Sequence, residues 1–122
     1  MLAVASASAA AFRVEAPRQV IEGQKFMVTF WLDNYKDIPT VNPEMRNVPN
    51  CKYLYGPGIS KSCQKINEKE VYAIGYSFIY KALKAGEIKI GSIKIKIKDK
   101  TITSKSIKLN ICPSNNYDLN KE

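Results

Sequence analysis

The sequence predicts an all-β protein, an antiparallel immunoglobulin-like β-sandwich of about seven strands. Three observations carry the prediction. Apolar residues recur with the period of two that places alternate side chains on one face of a strand, and the helical period is nearly absent. Gly, Pro and Asn clusters punctuate the apolar stretches at intervals that suit short strands joined by turns. The chain has 122 residues, enough for one hydrophobic core and too few for two.

The elements follow in chain order. The stretch "MLAVASASAAAF" is small and apolar, with an Ala-x-Ala pattern at Ala7 and Ala9. It resembles the cleavage end of a secretory signal, although the basic start and full apolar core of a signal are missing. Residues 1–11 are therefore read as a signal remnant or flexible leader of an exported protein. Residues 12–112 form the sandwich domain, and the polar residues 113–122 a tail or truncated linker. Phe12 to Ala16 reads as an edge strand ended by Pro17.

In Gln24 to Asp33, Phe26, Val28, Phe30 and Leu32 share one face and Met27, Thr29 and Trp31 the other. Bulk on both faces marks a central strand. Residues 34–50 hold three of the six prolines and form a long irregular connection. Around "YLYGPGISKSCQ", a Gly-Pro-Gly corner is expected to join two strands. In Val71 to Lys81, Tyr72, Ile74, Tyr76, Phe78 and Tyr80 face one way and small residues mostly the other, which predicts a long strand with a packed aromatic face. Ile88 and Ile90 are out of phase with Ile93, Ile95 and Ile97, so a bulge or corner is expected at Gly91-Ser92. Ile102 is likewise out of phase with Ile107, Leu109 and Ile111, which predicts a second irregularity near Ser104.

The chemistry that the sequence excludes is informative. There is no histidine, which removes imidazole-based triads and most zinc sites. "YLYGPGISKS" is not a phosphate loop: Ser60 and Tyr55 stand where the two glycines are needed, and Pro57 removes an N–H donor. No carboxylate pair presents itself for acid–base work, since Glu68 and Glu70 sit in the charged turn "NEKE". The sequence is that of a non-enzyme with no cofactor and no metal site.

Cysteines 51, 63 and 112 lack a metal-binding spacing. A hairpin centred on Pro57 would bring Cys51 opposite Cys63, where a disulfide could form; two isolated thiols are the alternative. The window 81–108 holds nine lysines against Glu87 and Asp99, which accounts for seven of the net eight positive charges. These lysines alternate with isoleucines, the pattern of a solvated sheet face that also discourages edge aggregation. The window has no aromatic on which bases could stack, so nucleic acid is not expected as a partner. A surface for an acidic partner or a membrane is the other reading of the window.

With the strands laid out, a family resemblance emerges. "VEAPRQVIEGQKFMVTFWLDN" resembles the opening of the BatD proteins, the "oxygen tolerance" family of Bacteroides aerotolerance operons. "KYLYGPGISKSCQKINEK" is similar to that family's strand, Gly-Pro corner, Ser-rich segment and following turn, with Asn67-Glu68 in place of the usual Asn-Gly. "YSFIYKALKAGEIKIGSIKIKIKDKTITSKSIKLNI" is similar to its Tyr-rich strand, Lys-x-Gly turn, "IG" corner and final hairpin.

The resemblance spans about residues 12–111 and implies an immunoglobulin-like domain in the periplasm or cell envelope. It further implies a scaffolding role in an assembly with von Willebrand A-type Bat proteins and a MoxR-type ATPase. Membrane association would run only through parts missing from this chain, which is then a fragment or a short stand-alone relative. The expected partner is thus a protein of the cell envelope, met through loops or sheet edges. Tyr53, Tyr55, Gly56, Pro57, Gly58, Ser60 and Ser62 are the candidate contact residues, together with the 34–50 connection. A carbohydrate-binding or adhesive surface module using exposed tyrosines is the alternative.

Overall fold

The computed structural model describes residues 11–43, 48–97 and 100–114. Nine strands run in order: β1 (Ala11–Glu15), β2 (Gln19–Ile21), β3 (Lys25–Asp33), β4 (Cys51–Ile66), β5 (Lys69–Ala82), β6 (Gly86–Ile90), β7 (Lys94–Ile97), β8 (Lys100–Thr103) and β9 (Ile107–Cys112). A four-stranded sheet has the order β1-β3-β5-β4. Opposite it lie a three-stranded sheet, β2-β9-β6, and a two-stranded ribbon, β7-β8. The core between the layers takes Val28, Phe30, Leu32, Ile74, Tyr76, Phe78 and Tyr80 from the large sheet. Ile88, Ile90, Ile93, Ile95, Leu109 and Ile111 meet them from the other side.

The predicted central strand is β3, flanked by β1 and β5. The predicted aromatic face is the inner face of β5, with Tyr76 and Tyr80 almost wholly buried. Phe30 meets Phe78 edge-on at 6.0 Å, and Phe26 stacks on Tyr80 at 5.9 Å. Lys89, Lys94, Lys96 and Lys108 point outward from strands whose isoleucines and leucine point in.

Two features, the first and third below, depart from the sequence reading, and the second sharpens it. First, the chain opening is two strands. β1 pairs antiparallel with β3, the backbone breaks at Ala16-Pro17-Arg18, and β2 continues in the opposite sheet, parallel to β9. The sandwich is therefore not purely antiparallel, because β9 runs in the same direction as the strand that joins its sheet.

Second, the phase changes at Gly91-Ser92 and Ser104 are corners between separate sheets, and a single side chain ties them together. Ser104 is buried; its N–H donates to the Ile93 carbonyl (2.8 Å) and its Oγ accepts the Ile93 N–H (2.9 Å). Both polar groups of a buried backbone position are thereby satisfied.

Third, the Gly-Pro-Gly stretch is not a corner. β4 runs unbroken through it and pairs with β5 along nearly its whole length. Two register shifts, between Tyr53 and Tyr55 and between Tyr55 and Gly58, absorb the extra residues as bulges around the cis Gly56–Pro57 peptide bond. Proline is tolerated because β4 is an edge strand, where a missing N–H costs no ladder bond. Gly56 is required as well. Its φ is +142°, and a Cβ there would lie 2.7 Å from the Ser77 carbonyl oxygen.

The reversal of the chain falls instead at Asn67-Glu68, both at positive φ (51° and 65°), as in the mirror-image hairpin turn. Cys51 and Cys63 consequently lie on one strand, twelve positions apart. At about 3.3 Å per residue that is roughly 40 Å, against the ~7 Å Cα limit for a disulfide. All three cysteines are free. The 1–10 part of the predicted leader, 44–47 of the predicted connection, Lys98 and Asp99 of the lysine window, and 115–122 of the predicted tail lie outside the described residues.

Candidate interaction face

The outer face of the four-stranded sheet is built from rungs of paired residues, one each from β3, β5 and β4, joined from the third rung on by one from β1. Register fixes them. The first rung is Lys25, Lys81 and Lys52, and the second is Met27, Ile79 and Tyr55. The third is Glu15, Thr29, Ser77 and Gly58, and the fourth Arg13, Trp31, Gly75 and Ser60. The fifth is Ala11, Asp33, Ala73 and Ser62.

Among the residues singled out from sequence, Tyr55, Gly58, Ser60 and Ser62 thus stand together, each on its own rung of this face. Gly56 and Pro57 form the bulge that sets their phase. Tyr53 does not join them. The one-residue shift after it sends Tyr53 to the inner side, where it packs against Tyr80 at 5.6 Å and its hydroxyl donates to the Gly56 carbonyl. Both rings are accessible, Tyr53 at 45% and Tyr55 at 65%, but they project from opposite sides of β4.

Met27, Trp31 and Arg13 were not singled out as site residues, although Met27 and Trp31 were placed together on the face opposite Phe26, Val28, Phe30 and Leu32. Trp31 lies over Gly75, where an added Cβ would come within 2.8 Å of the ring. Its Nε1–H donates to Glu15 Oε1 (2.9 Å), and the Arg13 guanidinium sits 5.7 Å from the ring centroid. Arg13 makes a two-pronged bond to Asp33, 3.0 Å on each arm, which raises its already high pKa. Thr29 and Ser77 hydroxyls bond across the strands at 2.9 Å.

This half of the face is internally satisfied. The first two rungs are not: Met27 is 51% exposed, and among the described residues none of the three lysines has a carboxylate within salt-bridge distance.

At the far end, the β4–β5 hairpin extends as an exposed arm. There the Tyr72 hydroxyl donates to Glu70 (2.6 Å), which pushes its pKa up to about 12, and Lys36 lies over the ring. Cys51 is half-buried, which pushes its thiol pKa up. Among the described residues no three His, Cys, Asp or Glu side chains group as metal ligands, and no helix is long and apolar enough to cross a membrane.

Two layers of β-strands, an inward aromatic face and a strand that changes sheets define an immunoglobulin-like β-sandwich domain. The model of the BatD DUF11 like domain matches residues 14–111, and the chain belongs to the BatD family. Among solved structures, the chain is similar to a cohesin module from the Clostridium perfringens ATCC13124 family 33 glycoside hydrolase. That likeness has 7% sequence identity and a TM-score of 0.35, and covers 85% of this chain and 97% of the other. No curated protein sequence matches the chain.

Proposed function

We propose that this chain is a non-catalytic, exported interaction domain of a cell-envelope assembly, and that it meets a protein partner through the outer face of its four-stranded sheet beside β4. One observation carries the reading. Tyr55, Met27 and Ile79 form an outward apolar rung with two of its three members more than half exposed. Large apolar side chains grouped on a sheet face and bordered by charge are typical of contact sites.

Membership of the BatD family supports the placement in the envelope. The resemblance noted above makes the von Willebrand A-type Bat proteins and their MoxR-type ATPase the first partners to test. The absence of histidine from the whole sequence supports a binding role over imidazole-dependent catalysis. A glycan platform built on Tyr53 and Tyr55 together gains no support, because the two rings lie on opposite sides of the strand.

The test is site-specific photocrosslinking in cells that carry the native gene, with the crosslinker at Tyr55 and a control at Lys108 on the opposite sheet. The reading expects an envelope protein, with the von Willebrand A-type Bat proteins as first candidates, crosslinked from position 55 and not from 108. Equal products from both positions, or none from 55, refute it.

A further inference from the structure

The first rung of the outer face poses an electrostatic problem. Lys25 and Lys52 each stand directly opposite Lys81 on neighbouring strands, so three ammonium groups form a row across the sheet. Like charges in that relation destabilise a sheet, and strands are only about 4.8 Å apart. All three side chains are exposed, and no carboxylate of the described chain lies within salt-bridge distance.

The row is bordered by apolar side chains on both sides. Met27, Ile79 and Tyr55 fill the next rung. On the other side is Leu83, 52% exposed, one residue past β5, whose N–H donates to the carbonyl of Asn50, the residue just before β4 (2.8 Å). A cationic stripe between two apolar borders is complementary to a ligand with the inverse pattern.

We propose that this patch binds an acidic amphipathic segment of a partner protein, whose carboxylates lie along Lys25, Lys81 and Lys52 while its apolar side chains rest on Met27, Ile79, Tyr55 and Leu83. The proposal rests on the interaction reading above and gives that site its ligand chemistry. A second copy of the chain does not fit, because it brings the same lysines and a net charge of +8.

A lipid surface fits less well than a segment. A bilayer is flat and would approach the whole face, including Glu15 and Asp33 on the third and fifth rungs, whereas a segment is confined to the patch. The patch is about 10 Å across the strands and spans two or three rungs of roughly 7 Å, the footprint of a short peptide. Carboxylates gathered on this row are screened by salt, so affinity falls as ionic strength rises.

The experiment uses an amphipathic peptide of glutamate and leucine as the probe, its lysine-for-glutamate counterpart as control, and anionic phosphatidylglycerol vesicles as competitor. Amide shifts in a two-dimensional NMR titration should localise to Lys25, Met27, Lys52, Tyr55, Ile79, Lys81 and Leu83. Lys81→Glu should weaken the acidic peptide at least tenfold while raising the melting temperature by roughly 2–5 °C, because it turns two repulsions into attractions. A rise in stability together with a loss of binding separates a binding surface from a merely structural one.

Three outcomes overturn the proposal. One is shifts that map to Lys89, Lys94, Lys96 and Lys108 instead. Another is equal binding by the Lys81→Glu protein. The third is binding to the vesicles without binding to the peptide, which assigns the patch to lipid. A crosslinked partner at Tyr55 whose capture is indifferent to Lys81→Glu leaves the interaction reading standing and removes only this inference.

Discussion

Replacing Gly75 by alanine tests how the outer face is assembled. A Cβ at this position would stand 2.8 Å from Trp31 Cζ3, 3.0 Å from Cε3 and 2.9 Å from Ser60 Oγ. Ser60 can rotate away, but the indole cannot move without loosening its N–H bond to Glu15 and its place beside Arg13. Overpacking of this kind costs about 1–3 kcal/mol, and a weakened hydrogen bond about 0.5–1.5 kcal/mol. Alanine recovers about 0.5–1 kcal/mol relative to glycine within a strand.

The net expectation for Gly75→Ala is a loss of about 1–2 kcal/mol, which lowers the melting temperature by roughly 4–10 °C. Trp31 is the only tryptophan, so its emission reports the displacement directly and should shift to the red. The decisive measurement is a double-mutant cycle in urea, followed by circular dichroism. In a Trp31→Ala background the clash is gone, and Gly75→Ala should become neutral or stabilising by about 0.5–1 kcal/mol. The same destabilisation in both backgrounds would refute the packing argument, as would a stable Gly75→Ala protein with unshifted emission.

Three further outcomes are expected. Ser104→Ala strips the buried Ile93 N–H of its acceptor and should cost about 1–3 kcal/mol in a urea melt; a loss under 0.5 kcal/mol would mean that this bond does not hold the two corners together. Glu68→Gly places glycine at a φ of 65° and should raise stability by about 0.5–1 kcal/mol, seen as a higher urea midpoint, whereas a lower midpoint contradicts the turn assignment. Burial, with Tyr53 and Cys51 nearby, pushes the Tyr80 hydroxyl up from its ordinary value of 10 to about 12. The folded state holds this proton more tightly than the unfolded state, so its contribution is complete below pH 10 and is lost as pH rises through about 12. Tyr80→Phe should flatten that alkaline decline in stability, and an unchanged decline would assign it to other groups.

Much of the fold was legible because alternation is a local property. The two faces of β3 were separated, and the packed face of β5 identified, residue by residue, since a strand writes its environment into every second position. The phase changes at Gly91-Ser92 and Ser104 were visible for the same reason. That one serine serves both corners was not, because nothing in local periodicity brings position 93 beside 104. β2 was also missed: three residues are too few to show a period, and its pairing with β9 joins opposite ends of the chain.

The candidate face divides along the same line. By itself the sequence determined that the protein is all-β, that imidazole chemistry is absent, and that Tyr55, Gly58, Ser60 and Ser62 lie near a Gly-Pro-Gly irregularity. Only the tertiary structure decided that the irregularity lies within one strand and not between two. Gly and Pro carry the same local chemistry in a turn and in an edge bulge; what distinguishes them is whether a partner strand continues past, and β5 does. That continuation separates Cys51 from Cys63, turns Tyr53 inward and Tyr55 outward, and aligns Lys25, Lys81 and Lys52 in one row. Cross-strand register is a relation between distant segments, so no single segment of the sequence contains it.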